Sequence, residues 1–250
     1  TSQYDKSIKA CGQCIDLMKQ MGIEGTVDYA TSLQNIANAY RAAGLLQQSL
    51  DYYKEAFSIY ENNIPKGDYR FASLNNNIAL LYQEMGNFEM AVDYLKNALI
   101  IIEKIDGEEI AVAITWSNLG ASLLELGKVG EATEYLEKAL EIYRKDSVKN
   151  FHYSAALSAM AAAKCKQGKY DEAVALYEEA LPEIEINMGK GTAYEITQQN
   201  LEKAREKCNN MDKSNRTEDE IESKKHASEE VKNISGIELA RRFYEEIGAP

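Results

Sequence analysis

The residues that could do chemistry are few. Cys11 and Cys14 stand in a C-x-x-C arrangement, the spacing that serves thiol–disulfide exchange or one half of a zinc knuckle. No second pair follows at zinc spacing, and Cys165 and Cys208 stand alone. His152 and His226 are the two histidines, far apart in the chain, which leaves little for proton transfer. No phosphate-cradling glycine loop, dinucleotide fingerprint, H-E-x-x-H helix or G-x-S-x-G elbow is present. These absences point away from an enzyme, a metal centre and a cofactor site. One pattern of hydrogen-bonding groups remains. Asn35, Asn77 and Asn118 recur at a near-constant interval, Asn38 stands one helical turn after Asn35, and Ala159 interrupts the row at the fourth place. Each carboxamide offers both a donor and an acceptor. Asparagine is a mediocre helix former, so three copies in phase require a reason.

Each member of that row lies nine residues before a glycine or its equivalent place. The glycines are Gly44, Gly86, Gly127 and Gly168, spaced 42, 41 and 41 residues apart. Seven residues before each stands a small residue: Ala37, Ala79, Gly120 and Ala161. Eight before are Ile36, Ile78, Leu119 and Met160. Five after are Ser49, Ala91, Ala132 and Ala173, and twelve after is alanine in every copy: Ala56, Ala98, Ala139 and Ala180. Between them, Tyr53, Leu95, Leu136 and Tyr177 supply bulk. The apolar positions recur at helical spacing on both sides of a glycine that breaks the run. The glycine ends one helix where a positive φ is cheapest. The small residues let two helix backbones approach, and one such hairpin cannot bury its apolar face alone, so the copies stack.

This pattern resembles the tetratricopeptide repeat, whose signature is Trp, Leu-Gly and Tyr on a first helix and Ala, aromatic and Ala on a second. The third copy keeps Trp116, Leu119 and Gly120. The resemblance covers residues 1–210 and implies an all-α, right-handed superhelix, an α-solenoid of stacked helix-turn-helix units. The common unit has about 34 residues; these units are longer, like those of kinesin light chains and many bacterial regulators. Apolar character continues from Ala98 to Ile105, which predicts elongated second helices.

The chain divides accordingly into a partial repeat over 1–25, repeats over 26–66, 67–106, 107–148 and 149–189, and a capping helix over 190–210. Tyr4, Ser7, Cys11 and Cys14 sit 42 residues before Leu46, Ser49, Tyr53 and Ala56. The chain therefore opens on a lone second helix, as a trimmed piece of a longer protein would, and both cysteines fall in packing slots. In the capping helix Ile196, Leu201, Ala204 and Cys208 are expected on one side. Residues 211–233 are dense in Lys, Glu, Asp and Ser and read as a charged linker. Residues 234–250 turn amphipathic again, with Ile237, Ala240, Phe243, Tyr244 and Ile247. That last stretch is similar to the opening of an uncharacterised bacterial domain of nucleotidyltransferase-like character. The alternatives are a second cap or a tethered segment lying in the groove.

Composition narrows the partners. A net charge of −12 argues against nucleic acid, whose phosphates need clustered Lys and Arg. No apolar run is long enough to cross a membrane, and unpaired cysteines suit a reducing, cytoplasmic setting. In tetratricopeptide arrays the first helices line the concave wall. The resemblance therefore implies that Asn35, Asn38, Asn77 and Asn118 face a groove that holds an extended protein or peptide ligand by its backbone. The competing reading is a polar, solvated wall shared by duplicated repeats. No Lys and Arg pair accompanies the asparagines, so a carboxylate clamp is not expected and a neutral, partly apolar peptide fits better. A second alternative makes the repeats the peptide-sensing arm of a larger bacterial protein whose effector domain lies beyond Pro250. The oligomeric state stays open.

Overall fold

The computed structural model describes residues 2–145, 147 and 149–210. Among them the chain is helical throughout: α1 (Ser2–Gln20), α2 (Val27–Ala42), α3 (Leu46–Asn63), α4 (Tyr69–Glu84), α5 (Phe88–Ile102), α6 (Glu109–Glu125), α7 (Val129–Lys145), α8 (Phe151–Lys166), α9 (Tyr170–Met188) and α10 (192–210). Contacts divide the chain into two compact units, 1–201 and 202–250. Of the second, residues 202–210 are helical. The linker expected over 211–233, the amphipathic helix expected over 234–250 and its nucleotidyltransferase-like resemblance lie outside the described residues.

The four anchoring glycines close the first helices by one shared geometry. Gly44, Gly86, Gly127 and Gly168 have φ of 77°, 74°, 73° and 77°, the left-handed region where a Cβ is penalised. After α2, the Gly44 amide donates to the Arg41 carbonyl at 2.9 Å and the Leu45 amide to the Tyr40 carbonyl at 2.9 Å. The same pair of bonds closes α4 through Asn87, α6 through Lys128 and α8 through Lys169. This reverse-turn cap satisfies carbonyls that a helix end would otherwise strand. Three of the four first helices also open on a side-chain cap. Thr26 accepts from the Tyr29 amide, Asp68 from the Arg70 amide, and Asn150 from the amides of His152 and Tyr153.

The small-residue slots are where the hairpins close. Ala37, Ala79 and Ala161 are fully buried, as are Ala56, Ala98, Ala139 and Ala180. The hydroxyl of buried Ser49 donates to the Ala37 carbonyl at 2.8 Å, so its slot carries no stranded polar group. Gly120 is tighter still: a Cβ there would lie 2.6 Å from Leu136 Cγ. Tyr53, Leu95, Leu136 and Tyr177 fill the space between. The hairpins vary in how they clasp. Tyr29 donates to Glu55 in the first copy and Tyr153 to Glu179 in the fourth. The middle copies put Phe71 and Val112 in the tyrosine place, with Asn97 and Lys138 in the glutamate place.

Stacking is uneven across the ribbon. Within 1–201, α2 packs on α4, α4 on α6 and α6 on α8, whereas the backbones of α3, α5, α7 and α9 do not come close to one another; a long side chain bridges two of them, Arg144 of α7 pairing with Glu179 of α9 at 3.0 Å. The first helices therefore lie on the inside of the bend and the second helices splay outside it. The result is the right-handed superhelix that the repeat implied.

Three expectations change. The second helices are not uniformly long: α5 has 15 residues, α3 18, α7 17 and α9 19, against 16 or 17 for the first helices. The extra residues are shared among both helices and the loops, and α5 stops at Ile102, ahead of a turn at Gly107 with φ 86°. Cys14 is exposed, although its equivalent Ala56 is buried. Ala56 faces the first helix of its own hairpin, and among the described residues no helix precedes α1. Ile196 is 52% exposed, and Thr197 is buried beside Leu201 in its stead. Ile196 stands five residues before Leu201, about 140° round the helix, whereas Thr197 is one turn away.

Two outcomes follow for stability. Gly86→Ala places a Cβ at φ 74° with open space around it, so the loss, about 1 kcal/mol in urea unfolding, comes from backbone strain alone. Hydrogen bonds from Arg70 hold the Asp68 carboxyl at about 2, below its unfolded value of about 3.9. A lowered carboxylate stabilises the fold above the unfolded value and loses that contribution as pH falls toward the folded one. Asp68→Asn, which can still cap α4, should therefore flatten the fall in melting temperature between about pH 4 and pH 2. Arg70 is exposed and Asp68 is half-buried, so solvent screening keeps the shift small.

Candidate groove on the first helices

The inner wall is built from the faces of α2, α4, α6 and α8 that point away from their own second helices. Two positions on α2, and the same two on α4, reach across to the next first helix. Gln34 Nε2 donates to Ser73 Oγ at 3.3 Å, and one repeat later Asn76 Nδ2 donates to Thr115 Oγ1 at 2.9 Å. Two turns further along, Arg41 pairs with Glu84, and Gln83 Nε2 donates to the Asn118 carbonyl at 2.9 Å and to Ser122 Oγ at 2.7 Å. These bonds form a polar ladder that ties α2 to α4 and α4 to α6. It ends there. The equivalent residues of α6 are Ser117, which bonds the Ala113 carbonyl of its own helix, and apolar Leu124.

The asparagine row lies beside this ladder. Asn35 is exposed, and Asn77 and Asn118 are half-buried, each one residue past a ladder position or its equivalent. Among the described residues their carboxamides take no hydrogen-bond partner, unlike the ladder residues next to them. Asn38 differs. Its Oδ1 accepts from the Tyr53 hydroxyl, so part of its capacity is spent within its own hairpin. Around the row the wall is apolar or small: Leu80, Ile114, Ala121 and Ala162 are half-buried, and Ala155 is exposed. Arg41, the basic residue closest in sequence to Asn35 and Asn38, is committed to Glu84. The wall therefore offers carboxamides and apolar surface.

The other candidate groups stay apart. Cys11, Cys14 and Cys165 are free thiols, and the described residues hold no cluster of three or more His, Cys, Asp or Glu that could bind a metal. Burial raises the Cys165 thiol above its ordinary value, which makes it inert rather than nucleophilic. His152 packs its ring 3.7 Å from Phe151 at the start of α8, and burial pushes its pKa down. No described helix is long and apolar enough to cross a membrane. The ladder was not anticipated from sequence. Its only signal there is the pairing of Gln34 with Asn76 and of Arg41 with Gln83 one repeat apart.

Comparison with known proteins agrees with this architecture. The tetratricopeptide repeat profile matches residues 1–62 and 70–145, and a second profile of the same description matches 154–189. No curated protein matches the sequence. Among solved structures, BtubC (BKLC) from P. vanneervenii is similar at 18% identity and a TM-score of 0.65, covering 90% of this chain and 92% of that one. The kinesin-light-chain-type, nearly identical TPR-like repeats from Podosopora anserina align at 20% identity and a TM-score of 0.60, over 74% of this chain and 88% of that one. The Cut9–Hcn1 assembly of the APC/C contains a chain similar at 17% identity and a TM-score of 0.62, covering 81% of this chain and 33% of its own. At these identities the structural likeness speaks for the fold. The two profiles together span more than half of the sequence, and the chain belongs to the tetratricopeptide repeat family.

Proposed function

We propose that this protein is a non-catalytic scaffold that binds an extended, neutral and partly apolar peptide segment along its first helices. The repeat fold is that of protein–protein interaction scaffolds in general. The observation that carries the finer reading is the three carboxamides of Asn35, Asn77 and Asn118, one per repeat, which take no partner among the described residues, beside a ladder whose side chains bond across to the next helix. An extended peptide presents alternating N–H and C=O groups, and each carboxamide matches one of each. Leu80, Ile114 and Ala121 then receive its side chains. Asn38 contributes through its Nδ2, since its oxygen is held by Tyr53.

The same proposal reads 1–25 as a partial repeat, 26–66, 67–106, 107–148 and 149–189 as the four repeats and 190–210 as a cap. It places the chain in the cytoplasm, where its thiols stay reduced. With a net charge of −12, nucleic acid is not the ligand.

The test is a selection of random neutral dodecapeptides on the full chain, followed by titration of the Asn77→Ala/Asn118→Ala double variant. Each lost carboxamide removes about 1 kcal/mol of hydrogen bonding, so binding should weaken roughly 30-fold. Urea unfolding should shift by less than about 0.5 kcal/mol, because both groups stand unpaired in the free protein. Equal losses of binding and stability would make the row structural. A ligand-induced change in radius of gyration would mark a peptide-sensing arm rather than a rigid scaffold.

A further inference from the structure

A second site lies on the opposite side of α4. Asn75 occupies the slot filled by Leu33 in the first repeat, Trp116 in the third and Leu157 in the fourth. It is only 5% exposed, and its carboxamide takes no hydrogen bond from any described residue. A polar group in an apolar slot breaks the rule the other repeats keep, and such breaks mark functional positions. Asn77, two residues on, points about 200° away around the helix, so Asn75 does not belong to the asparagine row.

Asn75 lines a pocket of about 590 Å³ between the splayed second helices α3 and α5, a size ordinary for a binding site. Its walls are aromatic and soft: Phe57, Phe71, Tyr94 and Met90. Phe57 and Phe71 meet edge to face with centroids 5.6 Å apart. At the mouth stand two carboxylates, Glu61 and Asp93, against one ammonium, Lys66.

We propose that this pocket receives one aromatic side chain that carries its own polar hydrogen, a tryptophan or tyrosine, from a basic segment of a partner protein. The flat ring suits the aromatic and thioether walls. The indole N–H or phenol O–H donates to Asn75 Oδ1, which no described residue satisfies. An aliphatic side chain would fill the volume but leave that carboxamide buried and unpaired. Flanking Lys or Arg residues meet Glu61 and Asp93. Tryptophan and tyrosine are also the residues that most often anchor protein interfaces.

Fluorescein-labelled Arg-Trp-Arg amide, titrated by anisotropy into the full chain, tests this, with Arg-Leu-Arg and Glu-Trp-Glu as comparison peptides. The tryptophan peptide with basic flanks should bind at least about tenfold more tightly than either. Asn75→Leu restores the residue of the first and fourth repeats. It should melt no lower than the parent and lose about tenfold in affinity. Asp93→Lys, at an exposed position, should reverse the preference between Arg-Trp-Arg and Glu-Trp-Glu whatever Asn75→Leu does to folding. Asn77→Ala/Asn118→Ala should bind Arg-Trp-Arg as the parent does, which separates this site from the first-helix groove. Absence of binding, equal binding of Arg-Leu-Arg, or an Asn75→Leu variant that folds and binds unchanged would overturn the proposal.

Discussion

The contact between successive first helices is the constraint on which the rest of this molecule depends. A helical hairpin has two sides, and here only one of them meets the neighbouring hairpin's like helix. Because α2, α4, α6 and α8 form an unbroken chain of contacts while the backbones of α3, α5, α7 and α9 stand apart, the ribbon must bend. The bend makes two kinds of surface at once. Inside it, polar side chains of adjacent helices come close enough to bond directly. Outside it, the helices open like the leaves of a fan and leave clefts floored by the buried face of the first helix between them. The groove and the pocket are therefore products of a single geometric inequality.

That inequality rests on small residues. Alanine or glycine in the closing slots sets how near two backbones come within each hairpin, and the bulky neighbour adjusts to suit. Gly120 shows the limit: with Leu136 opposite, even a methyl group at that position would collide. Burying a polar residue in such a framework normally costs about 1–3 kcal/mol if it stays unpaired. Ser49 avoids the cost through the Ala37 carbonyl. Asn75 does not.

Much of this was legible in the sequence because it depends on backbone requirements that few residues can meet. A positive φ asks for glycine, and all four anchors have it. A close approach asks for alanine, and those slots are buried as their spacing implied. What depends on direction was harder to read. Cys14 shares a register with Ala56, but register does not say whether a neighbouring helix exists to cover it. Ile196 is apolar and close in sequence to Leu201, yet it lies about 140° from it, and Thr197 takes the buried place. The ladder was hidden because a glutamine or asparagine on a helix face has the same appearance whether it faces water or the next helix. Asn75 was visible as a departure from Leu33, Trp116 and Leu157. Only its burial and the pocket beside it separate it from a harmless substitution.

The ladder's end has a mechanical consequence. Between α2 and α4, and between α4 and α6, hydrogen bonds and an ion pair fix the register, and directional bonds resist sliding until they break. Between α6 and α8 the equivalent residues are Ser117, turned to its own helix, and Leu124, so apolar contact, which has no preferred direction, carries the stack. The directional bonds at that joint lie further out instead: Gln167 Nε2 donates to Thr133 Oγ1 of α7 at 3.0 Å, and Arg144 of α7 pairs with Glu179 of α9 at 3.0 Å. A twist of the superhelix therefore strains bonds along the first helices in the first three repeats, and bonds that reach out to the second helices at the joint with the fourth.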